Sequence, residues 1–204
     1  MNVLQIDSSI LGEHSVSRTL SAAIVARLRE TTPGLALTYR DVASHPLPQF
    51  TGALAGALAV PPEQRSAELR RDAALLVTVL EEVLAADLIV VGAPMYNFGL
   101  PSQLKAWLDA LAVPGKTFRY TASGPEGLLG GKRAIIASSR GGFYGADTPR
   151  APFEHQESHL VSFLNFVGIT DIEVVRAEGV NLGPEVKQRE LQRALQQAAE
   201  LKAA

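Results

Sequence analysis

Residues 87–92 read Asp-Leu-Ile-Val-Val-Gly, an apolar run with no polar alternation. A strand with one wet face alternates, so a short continuous run bounded by turn residues points to a strand covered on both sides. Val3–Ile6, Lys132–Ser138 and Asp171–Ala177 read as further strands, and Leu35, Leu37 and Tyr39 alternate as in a half-buried strand. Between them lie amphipathic stretches. Ser17–Glu30 carries Leu20, Ile24 and Leu28 at four-residue spacing, and Thr32-Pro33-Gly34 ends it. Glu63–Ala85, Ser102–Leu111, a segment around Glu154–Val167, and Glu185–Lys202 read as further helices. Alternating strands and helices of this kind predict an α/β chain with a parallel sheet covered on both faces. At 204 residues and 47% apolar content, one domain over residues 1–204 buries roughly 70% of the extended chain's surface.

The absence of cysteine excludes disulfides, cysteine-bound metals and thiol chemistry. A net charge of −2 with scattered signs gives no basic face for nucleic acid. No membrane-length apolar run and no leader-like segment occur, so a cytoplasmic protein without membrane association is expected.

Parallel sheets bind ligands beyond the carboxyl ends of their strands. Three loops therefore matter: those after Ile6, Gly92 and Ser138. The first reads DSSILGEHSVS, with neither a glycine-rich dinucleotide fingerprint nor a Walker lysine. It offers Ser8, Ser9, Ser15 and Ser17 at a helix N-terminus, where free N–H groups suit a phosphate. Ser17 as a plain N-cap explains part of this equally well, and His14 and Arg18 stand nearby as cations. The second loop, GAPMYNFGLP, places Tyr96 and Phe98 around Asn97 just past a sheet edge. A flavin ring needs apolar contact on its face and backbone hydrogen bonds along one edge, and such a loop supplies both.

Seven segments together carry a family likeness: DSSI (7–10), SVSRTL (15–20), APMYNFGLPSQLKAWLD (93–109), TFRYTASGPEGLLGGKRAII (117–136), SSRGG (138–142), FVGITDI (166–172) and AEG (177–179). In this order and spacing the chain resembles the FMN-dependent NADH-azoreductases, also described as NADH:quinone oxidoreductases. The resemblance implies a flavodoxin-like, doubly wound, five-stranded parallel sheet of order 2-1-3-4-5 with helices on both faces. It implies bound FMN, NADH or NADPH as reductant, and ping-pong hydride transfer through flavin N5 to a quinone or azo compound. It further implies a homodimer with active sites at the interface. The phosphate falls to Ser9, Ser15, Val16 and Ser17, and the ring to Met95, Tyr96, Asn97 and Phe98. The remaining edge falls to Ser139, Arg140, Gly141 and Gly142. Paired glycines after a strand let amides approach a flavin carbonyl or nitrogen, although a flexible turn or, for Arg140, a surface ion pair is the plainer reading. Phe118 and Tyr120 are carried over as pocket residues, with core packing the alternative. Phe143 and Tyr144, where the family varies, are placed at the substrate mouth. Trp107 reads as core or interface.

No catalytic residue of the chain's own is required, since the flavin carries the chemistry. His14, His45, His155 and His159 are scattered, and His155 with His159 lacks the glutamate of a zinc-protease frame, so no metal is expected. Two rivals share the fold class. A flavodoxin-like electron carrier would be shorter and more acidic, and a receiver domain would need an acid where Pro94-Met95-Tyr96 stands.

Overall fold

The computed structural model of the protein describes residues 1–202. Five strands form one parallel sheet: β1 (Asn2–Asp7), β2 (Ala36–Asp41), β3 (Leu88–Pro94), β6 (Arg133–Ser139) and β7 (Asp171–Ala177). Their spatial order is β2-β1-β3-β6-β7. That is the expected order once an additional antiparallel hairpin, β4 (Phe118–Thr121) with β5 (Gly124–Gly127), is set aside.

The missing alternation of residues 88–91 has a direct cause. Leu88 and Val90 face α1 (Val16–Thr31) and α6 (Pro184–Glu200), in one apolar cluster with Leu20, Ile24, Leu28 and Ala194. Ile89 and Val91 face the other layer, α3 (Ala67–Ala85), α4 (Ser102–Leu111) and α5 (Glu157–Phe166). There they join Val79, Leu104, Trp107 and Leu160. Each full burial of such a side chain is worth about 1.5–3 kcal/mol against exposure. Two opposed layers of them fix the strand register.

Several boundaries differ from those read in the sequence. The first helix starts at Val16 with Ser15 as its cap, not at Ser17. The helix read from Glu63 starts at Ala67, capped by Ser66, because Pro62–Gln64 forms a separate tight turn. A short α2 (Gly52–Leu58) precedes it, with too little apolar periodicity to be foreseen. The Glu154–Val167 helix shortens to Glu157–Phe166. The Glu154 carboxylate instead accepts the amides of Gln156 and Glu157 at 2.7 Å and of Ser158 at 3.1 Å. Ser102–Leu111 and Asp171–Ala177 keep their expected bounds.

The hairpin is seated on a close backbone contact. Leu129 N–H donates to Val167 O at 2.8 Å, and Gly168 turns with φ +98° beneath Gly127. This architecture leaves the loops after β1, β3, β6 and β7 together at the carboxyl end of the sheet. Among the described residues no helix is long and apolar enough to cross a membrane, and no acidic or histidine cluster could hold a metal.

Candidate functional site

The first loop leaves β1 at Asp7, and Ser8 Oγ pins it to β3 by donating to Gly92 O at 2.6 Å. Ser15 caps α1: its Oγ accepts the Arg18 amide at 3.3 Å and lies 3.1 Å from Ser17 Oγ. Ser9, Ser15 and Ser17 are buried. Among the described residues nothing accepts from the Val16 or Ser17 amides. Two free donors and two hydroxyls at the positive end of a four-turn helix make a phosphate cradle.

The second loop is a two-residue turn closed by paired Tyr96 and Gly99 backbone bonds, both 3.0 Å. Its central residues take left-handed backbone, Asn97 at φ +48° and Phe98 at φ +72°. Asparagine tolerates this; phenylalanine does not, and such strain is retained where the surroundings enforce it. The Tyr96 hydroxyl lies 3.0 Å from Ser9 Oγ and accepts the Ile10 amide, so it tethers the two loops. The amides of Asn97 and Phe98 have no partner among the described residues.

Met95 N–H donates to Ser139 O at 2.8 Å, bringing in the third loop. There Gly141 O and Gly142 O accept from Asn181 and Gly179, while the amides of both glycines stay free among the described residues. A Cβ on Gly141 would stand 2.7 Å from Asn181 Nδ2, and one on Gly142 2.3 Å from Arg150 Nη1. Among the described residues each of the three loops thus carries a pair of unpartnered amides, Val16 with Ser17, Asn97 with Phe98, and Gly141 with Gly142, and Val16 and Gly141 line one hollow.

Not every expected residue points there. Arg140 is not on the surface. It is 2% exposed, its guanidinium reaches Glu154, Glu157 and Glu178 at 2.9–3.2 Å, and its own amide and carbonyl are bonded to Ala177 and Val180. Phe143 has its ring against Gly179. Tyr144 meets Phe98 edge-on with centroids 6.3 Å apart. Phe118 is buried between Tyr120 and Phe166, whereas Tyr120 is 76% exposed. Neither lines the cleft within this chain. Trp107 is core.

A hollow of about 100 Å³ lies among Ser9, Ser15, Tyr96, Ser139 and Gly141. A hollow of this size is too small to enclose a tricyclic ring. Leu11, Asn181 and Lys187 also line it, and none was expected from the sequence. Phe153, stacked 5.3 Å from Phe98 at the rim, was missed too. Leu11, Asn181 and Phe153 sit outside any periodic pattern, and Lys187 is an exposed residue in the first turn of α6. Two larger hollows, about 610 Å³ against α2, α3 and α4 and about 380 Å³ at the opposite end of β1, lack such convergent donors.

Beneath the first loop, Arg18 does not offer its charge to the cleft. Its guanidinium holds Ser9 O at 2.8 Å and Asp41 at 2.7 Å. Burial pushes the Asp7 carboxyl up, despite a 2.7 Å bond from Ser21 and the nearby Arg18. Burial and the adjacent Asp7 and Asp41 push Tyr39 up to about 12. Asp41 is the reverse. Desolvation would raise it, but Arg18 and the Ser44 amide and hydroxyl hold it well below the ordinary carboxylate value. A depressed carboxylate stabilises the fold above its unfolded value of 3.8 and loses that contribution as pH falls through its folded value. Asp41→Asn should therefore be less stable than wild type at neutral pH, with the gap closing below about pH 4. Urea midpoints measured across that range check it, and a gap that widens in acid would refute the sign.

Asn97→Ala is expected to weaken FMN retention with the fold intact, but alanine also adds about 1 kcal/mol of left-handed strain. Asn97→Gly removes the side chain without that strain. Equal FMN dissociation constants in wild type and Asn97→Gly would assign the whole effect to the turn.

A family model described as the flavodoxin-like fold matches residues 1–201. FMN-dependent NADH:quinone oxidoreductase 2 of Bradyrhizobium diazoefficiens is 54% identical over 205 residues, covering 100% of both chains. The FMN-dependent NADH:quinone oxidoreductase of Methylorubrum extorquens is 56% identical over 205 residues, also covering 100% of both. Among solved structures, an azoreductase from Bacillus anthracis is 29% identical with a TM-score of 0.84, over 98% of this chain and 100% of that one. The chain belongs to the flavodoxin-like family that includes these FMN-dependent NADH:quinone oxidoreductases.

Proposed function

We propose that this chain acts as one domain, an FMN-dependent oxidoreductase in which NADH reduces quinones and azo compounds at the carboxyl end of the sheet. The observation that carries the reading is the free amides on three loops at one end of the sheet, in a chain more than half identical to relatives bearing that name. Bound FMN would supply the two-electron chemistry between the nicotinamide and the acceptor. The chain binds and orients. Ser9, Ser15 and the amides of Val16 and Ser17 take the phosphate. Met95 to Phe98 hold one side of the ring, and the Gly141 and Gly142 amides donate to the edge where reduction places negative charge. Phe98, Tyr144 and Phe153 form an aromatic rim suited to a flat acceptor.

A homodimer in the cytoplasm completes the proposal. The apolar hollow against α2, α3 and α4 and the exposed Phe50, Leu58, Val77 and Leu84 support a self-association face. The exposed Tyr120 on the hairpin is placed to serve a partner's pocket. A flavodoxin-like carrier without nicotinamide activity is not favoured.

Trp107, the single tryptophan, gives a direct readout. Its fluorescence should quench on FMN titration, and initial rates with NADH and a quinone varied together should give parallel double-reciprocal lines. Intersecting lines would reject the ping-pong scheme, and absent quenching together with an FMN-independent rate would reject the cofactor.

A further inference from the structure

Arg140, Gln156 and Glu178 form a buried polar cluster behind the cleft. Arg140 Nε donates to Gln156 Oε1 at 2.9 Å, and Nη1 donates to Glu178 Oε1 at 3.2 Å. Nη2 sits between Glu154 and Glu157 at 3.1 and 2.9 Å, an ionic approach rather than a directed hydrogen bond. Gln156 is fully buried and passes its own amide protons to Ala93 O at 2.6 Å and Ser138 Oγ at 3.2 Å. Glu178 Oε1 also accepts the Tyr144 amide at 3.0 Å. Next to Gln156, His155 N–H donates to Phe98 O at 3.0 Å, reaching the strained turn itself.

The cluster reaches the carboxyl ends of β3 and β6 at Ala93 and Ser138 and the loops after β6 and β7 at Tyr144 and Glu178, while the adjoining His155 amide holds Phe98 in the second loop. Buried ion clusters are weak stabilisers, because apolar side chains of similar volume do as well or better. What an apolar plug cannot do is tie three loops at fixed spacing. Gly141 and Gly142 follow Arg140 directly, so the direction of their free amides depends on where its backbone is held.

We propose that Arg140, Gln156 and Glu178 are positioning residues that aim the amides of residues 97–98 and 141–142 at the flavin ring and so tune its affinity and its potential. The inference rests on the FMN reading above.

Gln156→Leu, Glu178→Gln and Arg140→Lys test it, with three measurements on each: dissociation constants for FMN and riboflavin, the midpoint potential of bound FMN, and the thermal stability of the apoprotein. Gln156→Leu should weaken FMN and riboflavin equally, by about tenfold, because the phosphate loop is untouched. If the reduced form loses about tenfold more affinity than the oxidised form, the two-electron potential falls by about 30 mV. Arg140→Lys keeps the charge facing Glu178 and should lose less flavin affinity than Gln156→Leu. Glu178→Gln preserves shape and is read in the same way if Gln156→Leu does not fold. Variants with lowered apoprotein stability but wild-type affinities and potential would make the cluster structural and overturn the proposal. Wild-type protein that binds neither flavin would overturn the FMN reading itself, and the positioning role with it.

Discussion

Ser15→Asp is expected to leave the protein folded and as stable as wild type while weakening FMN binding about 100-fold, with riboflavin binding unchanged. Ser15 does two jobs that this substitution separates. As the N-cap of α1 it accepts the Arg18 amide at 3.3 Å. Aspartate caps a helix as well as serine and is favoured by the helix dipole. As part of the proposed phosphate cradle the same oxygen would face an anion, and a carboxylate there would repel it. Two like charges about 4 Å apart interact by about 4 kcal/mol at a protein surface, so two decades of affinity allow for screening. Ser15→Ala gives the opposite pattern, losing about 1 kcal/mol of stability with a smaller loss of FMN affinity. Flavin titrations and urea melts of both variants measure each half. Undiminished FMN binding in Ser15→Asp would move the phosphate away from this loop.

Gly127→Ala should lower stability by about 3 kcal/mol, a melting shift of roughly 9 °C at this chain length. A Cβ at residue 127 would stand 2.1 Å from Gly168 N and 2.3 Å from Val167 C. Those are backbone atoms in a turn that is itself fixed at φ +98°, so neither side can yield by a rotamer change. The hairpin carrying Phe118 and Tyr120 would have to lift off α5. In the proposed dimer that hairpin serves the partner's pocket, and the quinone KM should rise along with the loss of stability. Calorimetry and steady-state kinetics on one preparation read both effects. A Gly127→Ala protein with wild-type melting would mean that the hairpin seats differently on α5.

The sheet was legible because burial on both faces leaves its mark on each residue of a strand. Leu88 to Val91 have no wet side and therefore no alternation. The hairpin was not legible, since Phe118–Gly127 reads as exposed polar residues around a single buried ring. Its placement comes from the Gly127–Gly168 approach, a contact 41 residues apart in sequence that leaves only two glycines as its trace. Helix starts were displaced for a local reason. Ser15 and Ser17 are equally good caps in composition, and only the backbone shows which one carries the bond. Of the residues carried by the family motif, Ser9, Ser15, Val16, Met95, Tyr96, Ser139 and Gly141 line one hollow, whereas Arg140 turns inward. A lone arginine after a strand gives no sign of the carboxylates that bury it, because Glu154 closes the same long connection, Glu157 opens α5 and Glu178 follows β7. Asn181 and Phe153 reach the cleft from segments without periodicity and Lys187 from the exposed face of α6, so composition alone could not single them out.

Anaerobic visible spectroscopy of the FMN-loaded protein tests the central claim most directly. NADH should bleach the bound flavin bands completely, and a quinone added after the NADH is spent should restore them with one quinone reduced per flavin. Flavin that stays oxidised in the presence of NADH, or that stays bleached when quinone is added, would contradict the account.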